Sequence, residues 1–466
     1  MLAQYISTND KDVISKSDSQ TIQNAVNKAR HTGLNRVLIP RINDRTGKPQ
    51  WDVDEAIILS SDIEIILDNC YIRQIDGSMD NVFRNYPQDA PRCTIEGQQE
   101  NIRIIGFGQA VIDGGNPNGL EEFTSLKNGL PHISRNNPIL LHNIRNLTID
   151  NITIKNSRWW GINLHYVEKA KLSNITIDAQ NNMRNQDGID LRCGCHDIII
   201  ENIFGQSGDD LIALSGFWGG GECKTWAVDG KDRDIHNIII RNVVGTSAEC
   251  TLIAMRNNDG VKLYDVTIDG VYDTLNGIQN KNIENSNIFA ERHQWKRQGA
   301  KTPYTVIRIG QAAFCTERLN TMGEVYGITV KNVHARCNAA IMLNATIEKS
   351  YFGNIYAGSD CRCLISTKSS FDTQNFGVDM RDVVFENLYY KDSDREDAVA
   401  FDLAVTGEKR TFENVIIKNA FIGNCKKLLN MEHEGQILFD GLYTEDMEKR
   451  IDNPANAKIV INGIRR

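Results

Sequence analysis

No stretch of this chain approaches the roughly 18 to 20 consecutive apolar residues that a helical membrane span requires. The opening, Met1 to Asp10, has neither a basic n-region nor an apolar h-region. No secretory signal is read there, and a cytoplasmic location is expected. A basic surplus is also missing: Lys+Arg 52 against Asp+Glu 60 leaves a net charge of -8. Nucleic acid and anionic membrane both demand basic patches, so neither is expected as the main partner. Nor does the sequence have the composition of a disordered chain, because its 41% of hydrophobic residues are spread along the whole length. Its 11 cysteines are odd in number and irregularly spaced, which excludes a disulfide framework and favours reduced thiols. Cys193-Gly-Cys195-His196 lacks the second ligand pair that structural zinc needs, so it reads as small residues along a strand. No metal and no cofactor are expected.

What is present is a repeat. Apolar, mostly β-branched residues alternate with polar ones, often with Asn nearby, at 146–154, 171–177, 197–203, 237–243, 262–268 and 327–333. Weaker copies lie at 382–388, 412–417 and 436–442. The early starts are 25, 26, 40 and 25 residues apart, and the long interval is one period plus an insertion rich in Gly and Trp around 217–234. Alternation with period two means strands with one buried face. A period in the mid-twenties is too short for a propeller blade and suits one coil of a parallel β-helix. The L-x-x-L-x-L consensus of leucine-rich repeats is absent. The expected fold is all-β: one elongated solenoid domain over 1–466, with inward Ile, Val and Leu, and with an inward Asn at corners satisfying turn backbone groups.

Open solenoid ends expose apolar surface and strand edges, so they need covers. Ser19 to Arg30 carries Ile22, Ala25, Val26 and Ala29 at helical spacing and predicts a capping helix, with the cap spanning about 1–40. Gly33 is expected to end the helix and Arg36-Val-Leu-Ile-Pro40 to begin the first strand. A second insertion, charged and aromatic, is expected at about 272–305. Long loops on a rigid solenoid are where binding sites usually lie.

Two acidic clusters stand apart from the solvated surface charges: Asn185-Gln-Asp-Gly-Ile-Asp-Leu191 and Ser207-Gly-Asp-Asp-Leu-Ile-Ala-Leu-Ser215. Aligning Ile189 with Ile212 and Leu191 with Leu214 places Asp187 beside Asp210 on adjacent rungs, with Asp209 next to them. Gly188 and Gly208 would permit the kinks that bring all three acids to one surface. Crowded like charges raise the pKa of at least one member and leave a neighbour ionised. That combination suits glycoside hydrolysis, which needs one acid for the leaving oxygen and one base for water. Stacked Asp residues that cap turns or bind a cation are the plain alternative.

These residues resemble those of the family 28 glycoside hydrolases, the polygalacturonase and rhamnogalacturonase group of right-handed parallel β-helices. The likeness rests on Asn-x-Asp-Gly-Ile-Asp at 185–190 and Gly-Asp-Asp-x-Ile-Ala at 208–213. Asp18-Ser-Gln-Thr-Ile-Gln-Asn-Ala25 is similar to the cap of that superfamily, and Ala110-Val-Ile-Asp-Gly-Gly115 to one of its coils, so the likeness covers roughly 15–390. The resemblance implies an inverting hydrolase in which Asp209 is the general acid. It makes Asp187 and Asp210 the pair that holds and activates water, and Asn185 the residue that orients them, although Gln186 replaces the usual Thr. Two departures accompany it. The family's Gly-His-Gly motif falls on Glu249-Cys250-Thr251, which lacks histidine and leaves Glu249 either a proton-handling group or a surface charge. The family's Arg-Ile-Lys falls on Arg308-Ile309-Gly310, which keeps the arginine and loses the lysine. A lone Arg308 still suits a uronate carboxylate, and a neutral or differently branched sugar stays open.

Further candidates for substrate contact are Trp159, Trp160, Trp218 and Trp226, whose exposed faces would stack on sugar rings. By strand parity His165, Arg192 and Arg256 are outward and near the acids. The expected reaction is hydrolysis of a pectin-like or other plant-derived oligosaccharide, exo-action on short chains fitting an intracellular enzyme. A calcium-dependent lyase with Arg308 as base and a non-catalytic carbohydrate-binding solenoid are the alternatives. A homo-oligomer stays open.

Overall fold

The structure, a computed structural model, describes residues 4–86, 97–122, 124–180, 183, 185–218, 224, 226–248, 250–274, 305–310, 318–368, 378–405, 410–444 and 450–465. A two-residue strand, Ile6–Ser7, comes first and pairs with Arg36–Pro40, which is therefore the second strand and not the first; helix α1 (Asp18–His31) lies between them. The Ser17 side chain caps it by accepting the Gln20 N–H, and its last turn carries Lys28, Arg30 and His31. Such basic residues suit the negative end of the helix dipole. Gly33, with φ +72°, supplies the left-handed residue that turns the chain out of the helix. Ile22, Ala25, Val26 and Ala29 are all buried, and they close the first coil that strand Arg36–Pro40 opens.

Every named strand pairing is parallel, and the pairings run in order from the first coil to the last, which is a right-handed parallel β-helix. Six strands matter for function: β1 (Ile139–Asp150), β2 (Ile162–Asp178), β3 (Ile189–Arg192), β4 (Ile212–Gly216), β5 (Thr251–Asn257) and β6 (Thr305–Gly310). Their register is set by one inward column, Ile139, Ile162, Ile189, Ile212, Ile253 and Ile307, continued by Ile341 and Ile365. β-Branched side chains pack well on a pleated surface, and each fully buried Ile contributes about 1.5–3 kcal/mol. A slip by one residue would expose the whole column, so the register is strongly specified. Among the described residues a continuous apolar core runs from Ile6 to Ala457.

The corners depart from expectation. Asn146, Asn174, Asn202, Asn242, Asn332, Asn354, Asn387 and Asn419 all have positive φ. They face outward rather than into the core. The Asn202 amide donates to Asn174 at 3.0 Å and Asn242 donates to Asn202 at 3.1 Å, forming a ladder along the outside. Asn is the non-glycine residue most tolerant of left-handed backbone, which explains its recurrence beside each apolar run.

The Tyr272–Thr305 insertion lies almost wholly outside the described residues, as does Glu249. No described helix is long and apolar enough to cross a membrane. The described cysteines are all free thiols. Cys195 Sγ donates to the Leu164 carbonyl at 3.3 Å, while the His196 ring turns away to Asp197 at 3.0 Å.

Candidate active site

Asp187, Asp210 and Thr251 each stand two residues before a member of the inward isoleucine column, at the points where β3, β4 and β5 begin. Backbone bonds lock this approach. The Gly188 N–H donates to the Asp210 carbonyl at 3.0 Å, and the Leu211 N–H donates to the Thr251 carbonyl at 2.9 Å. A Cβ on Gly188 would lie 2.4 Å from the Leu211 carbonyl oxygen, so only glycine lets the two coils close here. The Gly208 N–H donates to the Gln186 carbonyl at 2.9 Å. Hydroxyls of Ser207 and Ser247 both donate to the Asp209 backbone carbonyl, at 2.7 and 2.6 Å.

Asp209 and Asp210 lie together with Cys250. Single side-chain atoms of Asp209, Asp210 and Cys250 all lie within 4.8 Å of one another. Asp209 is half-buried, whereas Asp187 and Asp210 retain 5% and 1% exposure. An Arg256 guanidinium nitrogen donates to Asp210 Oδ2 at 2.5 Å and lies 3.6 Å from Cys250 Sγ. The positive charge in this cluster is thus a guanidinium. Asp209, Asp210 and Cys250 have the atom types to hold a divalent cation, but Arg256 already occupies Asp210.

Burial pushes Asp187 well above the usual carboxylate range, and the charges of Asp190, Asp209 and Asp210 push the same way; only Arg256 opposes them. Burial also raises Asp210, to about 6, against the pull of Arg256. Burial works most strongly against the Arg256 charge, yet Asp210, Cys250, Asp209 and Asp187 together outweigh it and hold the guanidinium protonated. Burial and the two neighbouring aspartates hold the Cys250 thiol protonated. Two buried carboxyls in unequal surroundings, one facing other acids and one facing a guanidinium, are set to hold different protonation states.

Other candidates land less uniformly. Arg308 is outward and buried, and its side chain crosses Gly310: a Cβ there would lie 3.2 Å from Arg308 Nε. Asn185, at φ 53°, is half-buried just ahead of Asp187. Arg192 lies between rings, 4.5 Å from the Trp160 centroid and 5.6 Å from that of Phe217. Trp159 and Trp160 stack on each other at 3.8 Å and are buried with Leu120 and Ile133. No exposed ring face remains there for a sugar, because the loop before β1 folds over both indoles. Trp218 is half-buried, with Arg233 4.8 Å above its ring.

His165 needs correction. It points outward as parity requires, but its exposure is 0%, because Trp226 from the insertion stacks on it at 4.8 Å. Trp226 is itself fully buried against Tyr86 and Leu140, and the His142 Nε2 lies 2.6 Å from its carbonyl oxygen. An insertion folded back over its own solenoid is a tertiary contact that strand parity does not reveal.

Two residues of this surface escaped sequence reasoning. Asp190, between Ile189 and Leu191, is outward and buried, and is the first charge felt by Asp187. Asn163, its ladder neighbour on β2, is fully buried with neither side-chain atom hydrogen-bonded. Parity places both beside the acids, and that signal was available.

Residues 73–219 match glycosyl hydrolases family 28. The match covers 147 of the 466 residues, about a third of the chain. The matched segment includes Asp187, Asp209 and Asp210 and stops before Cys250, Arg256 and Arg308. A protein of Aspergillus niger provisionally named galacturan 1,4-alpha-galacturonidase A is 25% identical over 226 residues, 43% of this chain and 47% of that protein. The chain spans about half the length of the curated relatives it matches. Two solved structures share the fold. A hyperthermoactive exopolygalacturonase of Thermotoga maritima superposes with a TM-score of 0.50 at 15% identity, over 89% of this chain and 91% of that one. The family 28 exopolygalacturonase of Yersinia enterocolitica gives a TM-score of 0.50 at 11% identity, over 99% and 77%.

Proposed function

We propose that this protein is an inverting exo-acting glycoside hydrolase that removes terminal uronic acid residues from pectin-like oligosaccharides. The observation that carries the reading is that Asp209 and Asp210 lie together with Arg256 bonded to Asp210, and that Asp187 stands on the adjacent rung within reach of their charges. Asp209, the most exposed of the three, protonates the leaving oxygen. Asp210 takes the proton of the attacking water, and Asp187 holds that water from the adjacent rung. The names of the relatives support a galacturonate substrate. Arg308 supplies positive charge for its carboxylate, although residue 310 is glycine.

Exo-action is supported by the packing beside β1 and β2. Tyr86, His142, His165 and Trp226 fill the outer surface of that coil, next to Asp190 and Arg192 on β3. A groove filled that close to the acids leaves little length for sugar on that side.

The test is incubation with pectic and neutral oligosaccharides of defined length, with Asp209→Asn as control. Products are followed by reducing ends, chromatography, ultraviolet absorbance and the anomeric NMR signal. Monomer released with inverted configuration, and lost in the variant, supports the reading. Absorbing, chelator-sensitive products would replace it with a lyase, and binding without turnover with a carbohydrate-binding solenoid.

A further inference from the structure

We infer that Arg256 is a positioning residue that sets the charge and orientation of Asp210, and that it works from the rung facing Gly310. The inference rests on the proposed hydrolysis for its kinetic consequences but not for its geometry.

Arg256 and Gly310 are direct ladder partners on β5 and β6. Because residue 310 has no side chain, Arg308 folds across its Cα, to within 3.2 Å of where a Cβ would stand. On the side away from the acids Arg256 thus faces a rung that presents no side chain of its own. On the other side, Arg256 pairs with Ser215 of β4, too short to compete for Asp210. Residues 213 and 254, two positions earlier on the same face, are both Ala and buried, so the floor between the arginines and the acids is small and smooth. In this setting the guanidinium sits on Asp210 Oδ2 at 2.5 Å, with 15% of its side chain exposed. Asp210 Oδ1 carries no other bond.

The groups facing Asp210 are Asp187 from the preceding rung, Asp209 beside it, and Cys250, Arg256 and Arg308 from the rungs beyond. Among the described residues, two of the three acids thus lack what Asp210 has, a bonded cation. Burial drives Asp210 toward its neutral form and Arg256 pulls it back, while Asp187, which faces Asp190, has no such partner. Arg256 therefore separates the roles of two carboxyls that otherwise stand on equivalent positions of adjacent coils. No bond is made or broken by Arg256; it keeps the base ionised and aimed.

The experiment compares wild type with Arg256→Met, Arg256→Lys and the double variant Arg256→Met with Gly310→Lys. Losing the cation raises Asp210, so the acidic limb of the kcat profile moves to higher pH by about one unit or more, as expected for removal of an adjacent opposite charge. KM stays within about threefold, kcat at pH 5 falls roughly tenfold or more, and Lys at either 256 or 310 restores part of the limb. A limb that does not move, or a KM that rises while kcat holds, overturns the inference and makes Arg256 a packing or substrate-binding residue. A readout without substrate keeps it separate from the proposed function. The Tm deficit of Arg256→Met is small at pH 4, where Asp210 is protonated in both proteins, and grows toward pH 7.5, where the variant must bury an unpaired carboxylate or keep its proton. An equal deficit at every pH contradicts a charge-setting role even if no sugar is ever turned over. Should Arg256→Met not fold, Arg256→Gln and Arg256→Lys carry the same comparison.

Discussion

Asp187 and Asp210 occupy the same place on successive coils: each stands two residues before a member of the Ile189–Ile212 pair, and the Gly188 N–H joins the coils through the Asp210 carbonyl at 3.0 Å. Two carboxyls held that way cannot both ionise cheaply in a buried site, and their unequal neighbours decide which keeps its proton.

Removing the proton donor should stop turnover without harming the fold. Asp209 is half-buried, and its structural bonds, from Ser207 and Ser247, go to its backbone carbonyl. Asp209→Asn keeps that carbonyl. We expect kcat to fall by about 10²–10⁴, the usual size of a general acid–base contribution, with Tm nearly unchanged. Steady-state kinetics alongside thermal melts check this.

Asp187→Asn should stabilise the protein at neutral pH while abolishing activity. The folded-state pKa of Asp187 is raised by burial first and then by Asp190, Asp209 and Asp210. A raised carboxyl gives stability that is present below its unfolded value and lost as pH climbs through the folded one. Asn removes that loss, so the Tm advantage of the variant is absent near pH 4 and widens upward. An advantage that shrinks with pH would show Asp187 to be held ionised instead.

Trp226→Ala should change product length rather than chemistry. The indole covers His165, on the coil before Asp187, and packs on Tyr86 and Leu140. Its loss costs about 3–5 kcal/mol of packing, which melts will register. Among the molecules that stay folded, oligomers longer than the wild-type product should appear by chromatography. Unchanged products would remove Trp226 from any role in limiting the groove.

Corner asparagines offer a test of the solenoid itself. Asn242, at φ 56°, is exposed and donates to Asn202. Asn242→Gly should lose only the ladder bond, about 0.5–1.5 kcal/mol. Asn242→Ala should cost about 1 kcal/mol more, because Cβ disfavours left-handed backbone. Chemical denaturation of the pair gives the difference directly.

The amino-acid order alone determined the coil, its period and the rung that brings Asp187 to Asp210, because inward Ile, Val and Leu with period two admit one register and any slip exposes them. It also determined the capping helix, through the apolar spacing of Ile22, Ala25, Val26 and Ala29. The outward set on β2 to β6 followed from the same parity, Asp190 and Asn163 included. The tertiary structure decided everything that depends on loops folding back. It sealed His165 under Trp226, turned Trp159 and Trp160 into packing, and placed Arg192 between rings. It also turned the corner asparagines outward, since left-handed backbone there points the amide away from the core. Above all it decided which acid receives Arg256. Spacing specifies the rung a side chain leaves from, but where a long, flexible side chain ends depends on how Arg308 folds over Gly310 and on the small floor at Ala213 and Ala254, and those are properties of the packed solenoid.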